Sequence, residues 1–248
     1  MPLAFRDRFA LLLQREVGRL LSPLWIPAGA AILRWRYGWR IVDAGPARRE
    51  FARLRRETSA PLLVCANHLT MVDSFVIAIA LGSPWWYITH FGALPWNTPE
   101  RDNFSRTWWL RIAIWVMKCI PVERGGDRRE VGRTLDRFGY MLARGDVGLI
   151  FPEGGRSRSG RIDSEASTYG VGRVVKSLPG CRVLCVYLRG EGQLGYSDSP
   201  ARGERFRPLF ASLEPKTEHA GLRGSLAITR QILARLAALE TEWFDARK

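Results

Sequence analysis

The chain is predicted to be an α/β protein: a single domain with a central mixed, mostly parallel sheet flanked by helices, preceded by an N-terminal amphipathic, membrane-associating helical segment. Three observations carry this expectation. Short apolar runs at 61–66, 147–151 and 181–188 have the length and composition of buried strands. Helical periodicity alternates with them, most clearly over 127–144 and 222–243. An Arg-rich stretch carrying Leu and Trp stands ahead of the first run. No internal repeat or linker-like tract divides the remainder, so the expected boundaries are 1–45 for the interfacial helices and 46–248 for the domain.

At the N-terminus, Leu11–Leu13, Val17, Leu20, Leu21, Leu24, Trp25 and Ile26 alternate with Arg6, Arg8, Arg15 and Arg19. Trp35, Tyr37 and Trp39 follow among Arg34, Arg36 and Arg40. The longest uncharged run there, Leu20 to Leu33, would span about 21 Å as a helix, short of the roughly 30 Å hydrocarbon core, and Pro23 and Pro27 interrupt it. The expectation is a helix pair lying in an anionic membrane surface; the alternative is an amphipathic helix covering the core.

Residues 61–66 (PLLVCA) read as a buried strand that opens into Asn67-His68-Leu69-Thr70-Met71-Val72-Asp73. Thr70 is placed to cap a helix running to Leu81, with Asp73 in its first turn. An Asp carboxylate folded back onto the His68 imidazole would fix its tautomer and favour its protonated form, as a general base for a hydroxyl requires. Thr70-x-x-Asp73 also fits the capping-box spacing, so Asp73 has a purely structural reading. The uncharged segment 74–99 breaks at Gly82-Ser83-Pro84 into a short helix and an aromatic stretch around Trp85-Trp86-Tyr87 that reads as core or as a lipid-facing belt.

Residues 116–122 (VMKCIPV) are a second candidate strand, with Arg124 just past its end. A helix follows from Asp127 to Arg144, with Val131, Leu135, Phe138 and Leu142 on one face and Gly145 after it. The strand at 147–151 ends in Phe151-Pro152-Glu153-Gly154-Gly155-Arg156-Ser157. Its glycines permit positive φ and close backbone approach, and Arg156, Arg158 and Arg161 would make an anion-binding concavity; the bland reading is a basic surface turn. Strands at 181–188 and 206–213 and a helix over 222–243 complete the chain.

Composition narrows the function. Of 248 residues, 46% are apolar and 25% charged, which excludes a disordered or low-complexity chain. Lys and Arg number 38 against 24 Asp and Glu, so the formal charge of +14 favours an anionic partner. The Arg residues are scattered and no reading element accompanies them, so nucleic acid is not expected. Cys65, Cys119, Cys181 and Cys185 form no CxxC, which fits a reduced compartment. His68, His90 and His219 are too few and too dispersed for a zinc site, so neither metal nor cofactor is expected.

In order and separation, three of these segments resemble the glycerolipid acyltransferase family, which acylates lysophosphatidic acid, glycerol 3-phosphate and related lyso-lipids. His68 and Asp73 match its His-x4-Asp motif, Arg124 the Arg closing its second block, and Phe151 to Ser157 its Phe-Pro-Glu-Gly-x-Arg-Ser block. The resemblance covers about residues 60–215. It implies His68 as base, Asp73 as its orienter, and Arg124, Glu153, Gly154, Gly155, Arg156 and Ser157 at the substrate. It further implies acyl-CoA or acyl carrier protein as donor, and as acceptor a lyso-phospholipid on the cytoplasmic face of the cell membrane. Three departures leave another acceptor, such as a lyso-ornithine lipid, open. The strand 183–188 lacks the usual Pro, the stretch 167–172 lacks the usual lysines, and the second block ends Val122-Glu123-Arg124 instead of apolar-Asp-Arg.

Overall fold

The computed structural model describes residues 3–57, 59–104, 107–123, 125–163 and 168–247. One six-stranded sheet organises them: β1 (Arg40–Ile41), β2 (Leu62–Ala66), β3 (Trp96–Asn97), β4 (Val147–Ile150), β5 (Arg182–Gly190) and β6 (Arg205–Leu213). The spatial order is β1-β6-β5-β2-β4-β3, and every neighbouring pair is parallel except β5 with β6. The expected α/β domain with a mixed, mostly parallel sheet is therefore what forms. β2, β4 and β5 are covered on both faces, which is why their sequences are continuous apolar runs. The period of two divides each strand between two cores. Leu63, Cys65, Val183 and Cys185 face α7 (Arg128–Ala143), α8 (Tyr169–Ser177) and α9 (Gly221–Asp245). Leu62, Val64, Leu184 and Val186 face α2 (Ala44–Glu57), α3 (Asp73–Leu81) and α4 (Pro84–Thr89).

The N-terminal segment forms one helix, α1 (Phe5–Ala31), that runs through Pro23 and Pro27, and a short π-helical turn over Ile32–Arg36, where a helix pair was expected. Pro23 removes the N–H that would bond the Arg19 carbonyl, and the Ser22 hydroxyl donates to that carbonyl instead at 2.7 Å. The helix docks by a stripe of Leu11, Gln14, Gly18, Ser22 and Ile26. Gln14 Nε2 donates to the carbonyls of Trp115 (2.8 Å) and Cys119 (2.9 Å), at the end of α6 (Trp108–Val116). Leu20, Leu24 and Trp35 are 71%, 72% and 79% exposed, whereas Trp39 is buried. Its indole donates to Ala201 O at 2.9 Å and its ring meets Phe206 edge-on. Among the described residues no helix is long and apolar enough to cross a membrane.

The expected strand at 116–122 does not form. Lys118 adopts φ +60° and turns its side chain inward, leaving only isolated bridges from Cys119 to Asn97 and from Val122 to Glu100. The strand partner of β4 on that side is the two-residue β3. Because β2, β4 and β5 run parallel, the segments that follow Ala66, Ile150 and Gly190 gather at one end of the sheet, the usual place for a site in an open α/β sheet.

Candidate active site

The loop after β2 is anchored before it reaches its titratable residues. Asn67 is buried and pairs with Leu188 of β5 through both amide atoms, donating to its carbonyl (2.9 Å) and accepting from its N–H (2.7 Å). The next residue, His68, is thereby fixed at the sheet's end. Its ring stacks on Phe151 from the loop after β4, with centroids 3.9 Å apart and planes within 10°. Its Nδ1 lies 3.1 Å from Asp73 Oδ2.

Asp73 is the hub of this turn. Oδ2 also accepts from the backbone N–H groups of Leu69 (2.6 Å) and Thr70 (2.8 Å), and Oδ1 accepts from the Thr70 hydroxyl (2.5 Å). The Thr70 N–H to Asp73 bond is the reach-back half of a capping box, but α3 starts at Asp73 itself, with Val72 as its N-cap and no side chain capping it. The carboxylate faces backward into the His68 loop and collects four donors there. Such a carboxylate holds the imidazole with Nδ1 as the donor and leaves Nε2 as the nitrogen able to take a proton.

His68 borders a cleft of about 550 Å³ whose other walls are mostly apolar. Ile114 of α6, Val131 and Leu135 of α7, Leu149 of β4 and Val171 of α8 supply them. From α3 only Ser74 and Phe75 reach it, while Val76, Ile77, Ala80 and Leu81 are spent in the core, and the Trp85–Tyr87 segment lies elsewhere.

The loop after β4 divides its residues between cleft and support. Gly154, at φ +71°, and Arg156 border the cleft; a Cβ on Gly154 would come within 2.6 Å of Thr168 Cγ2. Glu153 and Ser157 brace the loop from behind. The Ser157 hydroxyl donates to Glu153 Oε2, the Ser157 N–H donates to His68 O at 2.7 Å, and Asp163 N–H reaches Glu153 Oε2 at 3.4 Å. Burial pushes the Glu153 carboxyl above the usual range, with the Ser157 bond opposing it. Arg156 Nη1 donates to Asp198 Oδ1 (2.7 Å) and to Ser197 O (3.3 Å), and its guanidinium lies 4.6 Å over the Tyr196 ring.

The site thus brings together an imidazole held by a carboxylate, a mostly apolar cleft and a guanidinium that borders it. A model of the family described as Acyltransferase matches residues 50–189, more than half of the chain. The chain belongs to the acyltransferase family. The resemblance to the glycerolipid acyltransferases drawn from the motifs is thereby shown. No curated protein matches the chain significantly.

In this acyltransferase the first and third motif segments meet face to face, as the His68–Phe151 stack and the Ser157–His68 bond report. Arg124, the second-block residue, lies outside the described residues. Three participants escaped the sequence reading. Asn67 is a polar residue at the end of an apolar strand, a signal that was there to use. Arg189 is only 2% exposed and donates to the carbonyls of Gly160 (2.6 Å), Gln193 (2.9 Å) and Leu194 (2.5 Å), so it ties the loop after β5 to the loop after β4. The segment Tyr196–Asp198 bonds back to the His68 loop through Ser197 N–H to Leu69 O and Met71 N–H to Asp198 O, both 3.2 Å. Nothing local in the sequence marks it.

Proposed function

We propose that this protein moves a fatty acyl group from a thioester, acyl-CoA or acyl carrier protein, to the hydroxyl of a lyso-phospholipid or a related lyso-lipid at a membrane surface. The observation that carries the reading is the His68–Asp73 pair at the mouth of an apolar cleft. The acceptor oxygen attacks the thioester carbonyl as its proton passes to His68 Nε2. The tetrahedral adduct then expels the thiolate, which takes that proton back. Asp73 orients the imidazole and stabilises its cation, and the cleft holds the acyl chain.

No acyl-enzyme is needed. Of the four cysteines only Cys119 borders the cleft, and burial pushes its thiol up to about 12, which leaves almost no thiolate at neutral pH. Arg156 supports the acceptor headgroup, with Gly154 permitting its approach and Glu153 and Ser157 holding the loop in shape. α6 supports membrane docking: Ile114 lines the cleft while Trp108, Trp109 and Ile112 are exposed, and α1, which packs against the C-terminal end of α6, exposes Leu20 and Leu24. This arrangement would let acyl chains pass from the bilayer on the cytoplasmic face into the cleft.

The test is purified protein incubated with acyl-CoA or acyl carrier protein and a panel of lyso-lipids in mixed micelles. A doubly acylated lipid is expected, with no acyl group retained on the protein after denaturation. A stable acyl-protein adduct would overturn the direct-transfer step.

A further inference from the structure

The chain's charge of +14 does not extend to its cleft. Among the described residues that border it, Arg128 and Arg156 are the guanidinium groups, and Glu100 offers an opposing carboxylate. Arg156, the cation at the His68 end, is already paired: Asp198 Oδ1 stands 2.7 Å from Nη1. This is no incidental surface pair. Asp198 belongs to a segment bonded to both Leu69 and Met71 of the His68 loop, and buried Arg189 pins the residues just before it. Tyr196 of the same segment supports the guanidinium face. The Asp198 side chain is nevertheless 81% exposed, so its carboxylate is open to a partner from solution.

A site with a fixed cation beside a fixed, open anion has a definite complement. Resting on the acyl-transfer reading above, we propose that the Arg156–Asp198 pair selects zwitterionic lyso-lipid acceptors, Arg156 taking the headgroup's anion and Asp198 its cation. A phosphomonoester dianion would meet Arg156 only against the like charge of Asp198, and repulsion of the wrong ligand is a regular source of specificity. A headgroup carrying an ammonium beside its phosphate or carboxylate instead satisfies both partners. The departures from the family pattern in the sequence leave an acceptor other than a phosphoglycerol open, and the Arg156–Asp198 pair alone carries the choice of a zwitterion.

The experiment compares lysophosphatidylethanolamine with lysophosphatidic acid of the same chain length in mixed micelles. Equilibrium binding and single-turnover acyl transfer are both read for the natural protein, Asp198→Asn and Asp198→Glu. The natural protein is expected to bind the zwitterion more tightly. Asp198→Asn should weaken zwitterion binding about two- to fivefold and tighten phosphomonoester binding by a similar factor, the upper part of the range for a solvent-exposed charged contact. Asp198→Glu should keep the natural order, and acyl-CoA binding should not change. A natural preference for the phosphomonoester, or an Asp198→Asn effect equal for both lipids, overturns the inference even if acyl transfer proceeds. The reverse result, shifted binding with no acyl transfer by any form, overturns the acyl-transfer reading and leaves the headgroup assignment standing.

Discussion

Two buried aspartates occupy opposite ends of the same sheet, and their surroundings differ in a way that separates chemistry from architecture. Asp73 follows β2, at the C-terminal end of the strands; Asp146 precedes β4, at the other end. Asp146 accepts from Trp96 Nε1 (2.7 Å) and, through both oxygens, from Arg15 Nε (3.1 Å), and it lies 3.2 Å from Lys118 Nζ. Lys118 completes its own set with the carbonyls of Phe91 (3.1 Å) and Leu94 (2.6 Å). That network joins α1, the Lys118 turn and the start of β4, and none of Arg15, Trp96, Lys118 and Asp146 borders the His68 cleft. Asp73 instead ends its chain of bonds on an imidazole that borders the cleft. A buried charge network with every member satisfied holds elements together, while one that leaves a titratable atom at a cleft can react.

That contrast breaks first at His68. His68→Ala should lower the acyl-transfer rate by about 10²–10⁴-fold while the melting temperature holds, read by single turnover and thermal melts. Asp73→Asn should lose much of the rate as well, because the amide keeps one acceptor oxygen and sets a donor N–H₂ against either the imidazole or the Thr70 hydroxyl. A stability loss with specific activity intact in either variant would place this aspartate in the architectural class too.

Asp146→Ala is the opposite case. It leaves Lys118 buried without its counter-charge and should destabilise the fold by about 3–5 kcal/mol, the usual range when one partner of a buried pair is removed. The fraction still folded should retain its rate per molecule. A selective loss of rate would mean that this end of the sheet communicates with the cleft.

The smallest effect concerns pH. Burial, opposed in part by Asp146, lowers Lys118 from the ordinary 10.5 to about 8. Between those values the unfolded chain binds a proton that the folded chain has released. The site's contribution to stability should therefore rise as pH increases through that window and level off above it. Denaturation of the natural protein and of Lys118→Met across the window isolates the term, since other titrating groups are common to both. A difference that falls with pH would contradict the burial cause.

The same contrast shows what a sequence can disclose. Strands β2, β4 and β5 and helices α7 and α9 were legible because burial on both faces, or on one stripe, prints directly as an apolar run or a 3.6-residue period. The helix α2 carries Ala47, Phe51 and Leu54 on its buried face, a usable but faint signal amid its charges. Residues 116–122 have a strand's composition, but Val116 ends α6 and Lys118 turns inward to Asp146 and the carbonyls of Phe91 and Leu94, partners distant in the sequence. Pro23 reads as a helix breaker until the Ser22 hydroxyl is seen to replace the lost bond. At the site, His68 and Asp73 were legible as a pair, but the spacing alone did not separate capping from orientation. The turn geometry does: the carboxylate points away from the helix it begins. Which loop residues face the cleft, and that Asp198 stands against Arg156, depend on packing between segments some forty residues apart.

The most direct measurement is mass spectrometry of lipids from cells that lack the protein and are supplied with either the natural protein or His68→Ala at equal abundance. The account predicts that the natural protein converts a lyso-lipid into its doubly acylated product and that His68→Ala leaves the lyso-lipid to accumulate. Equal product from both would contradict it.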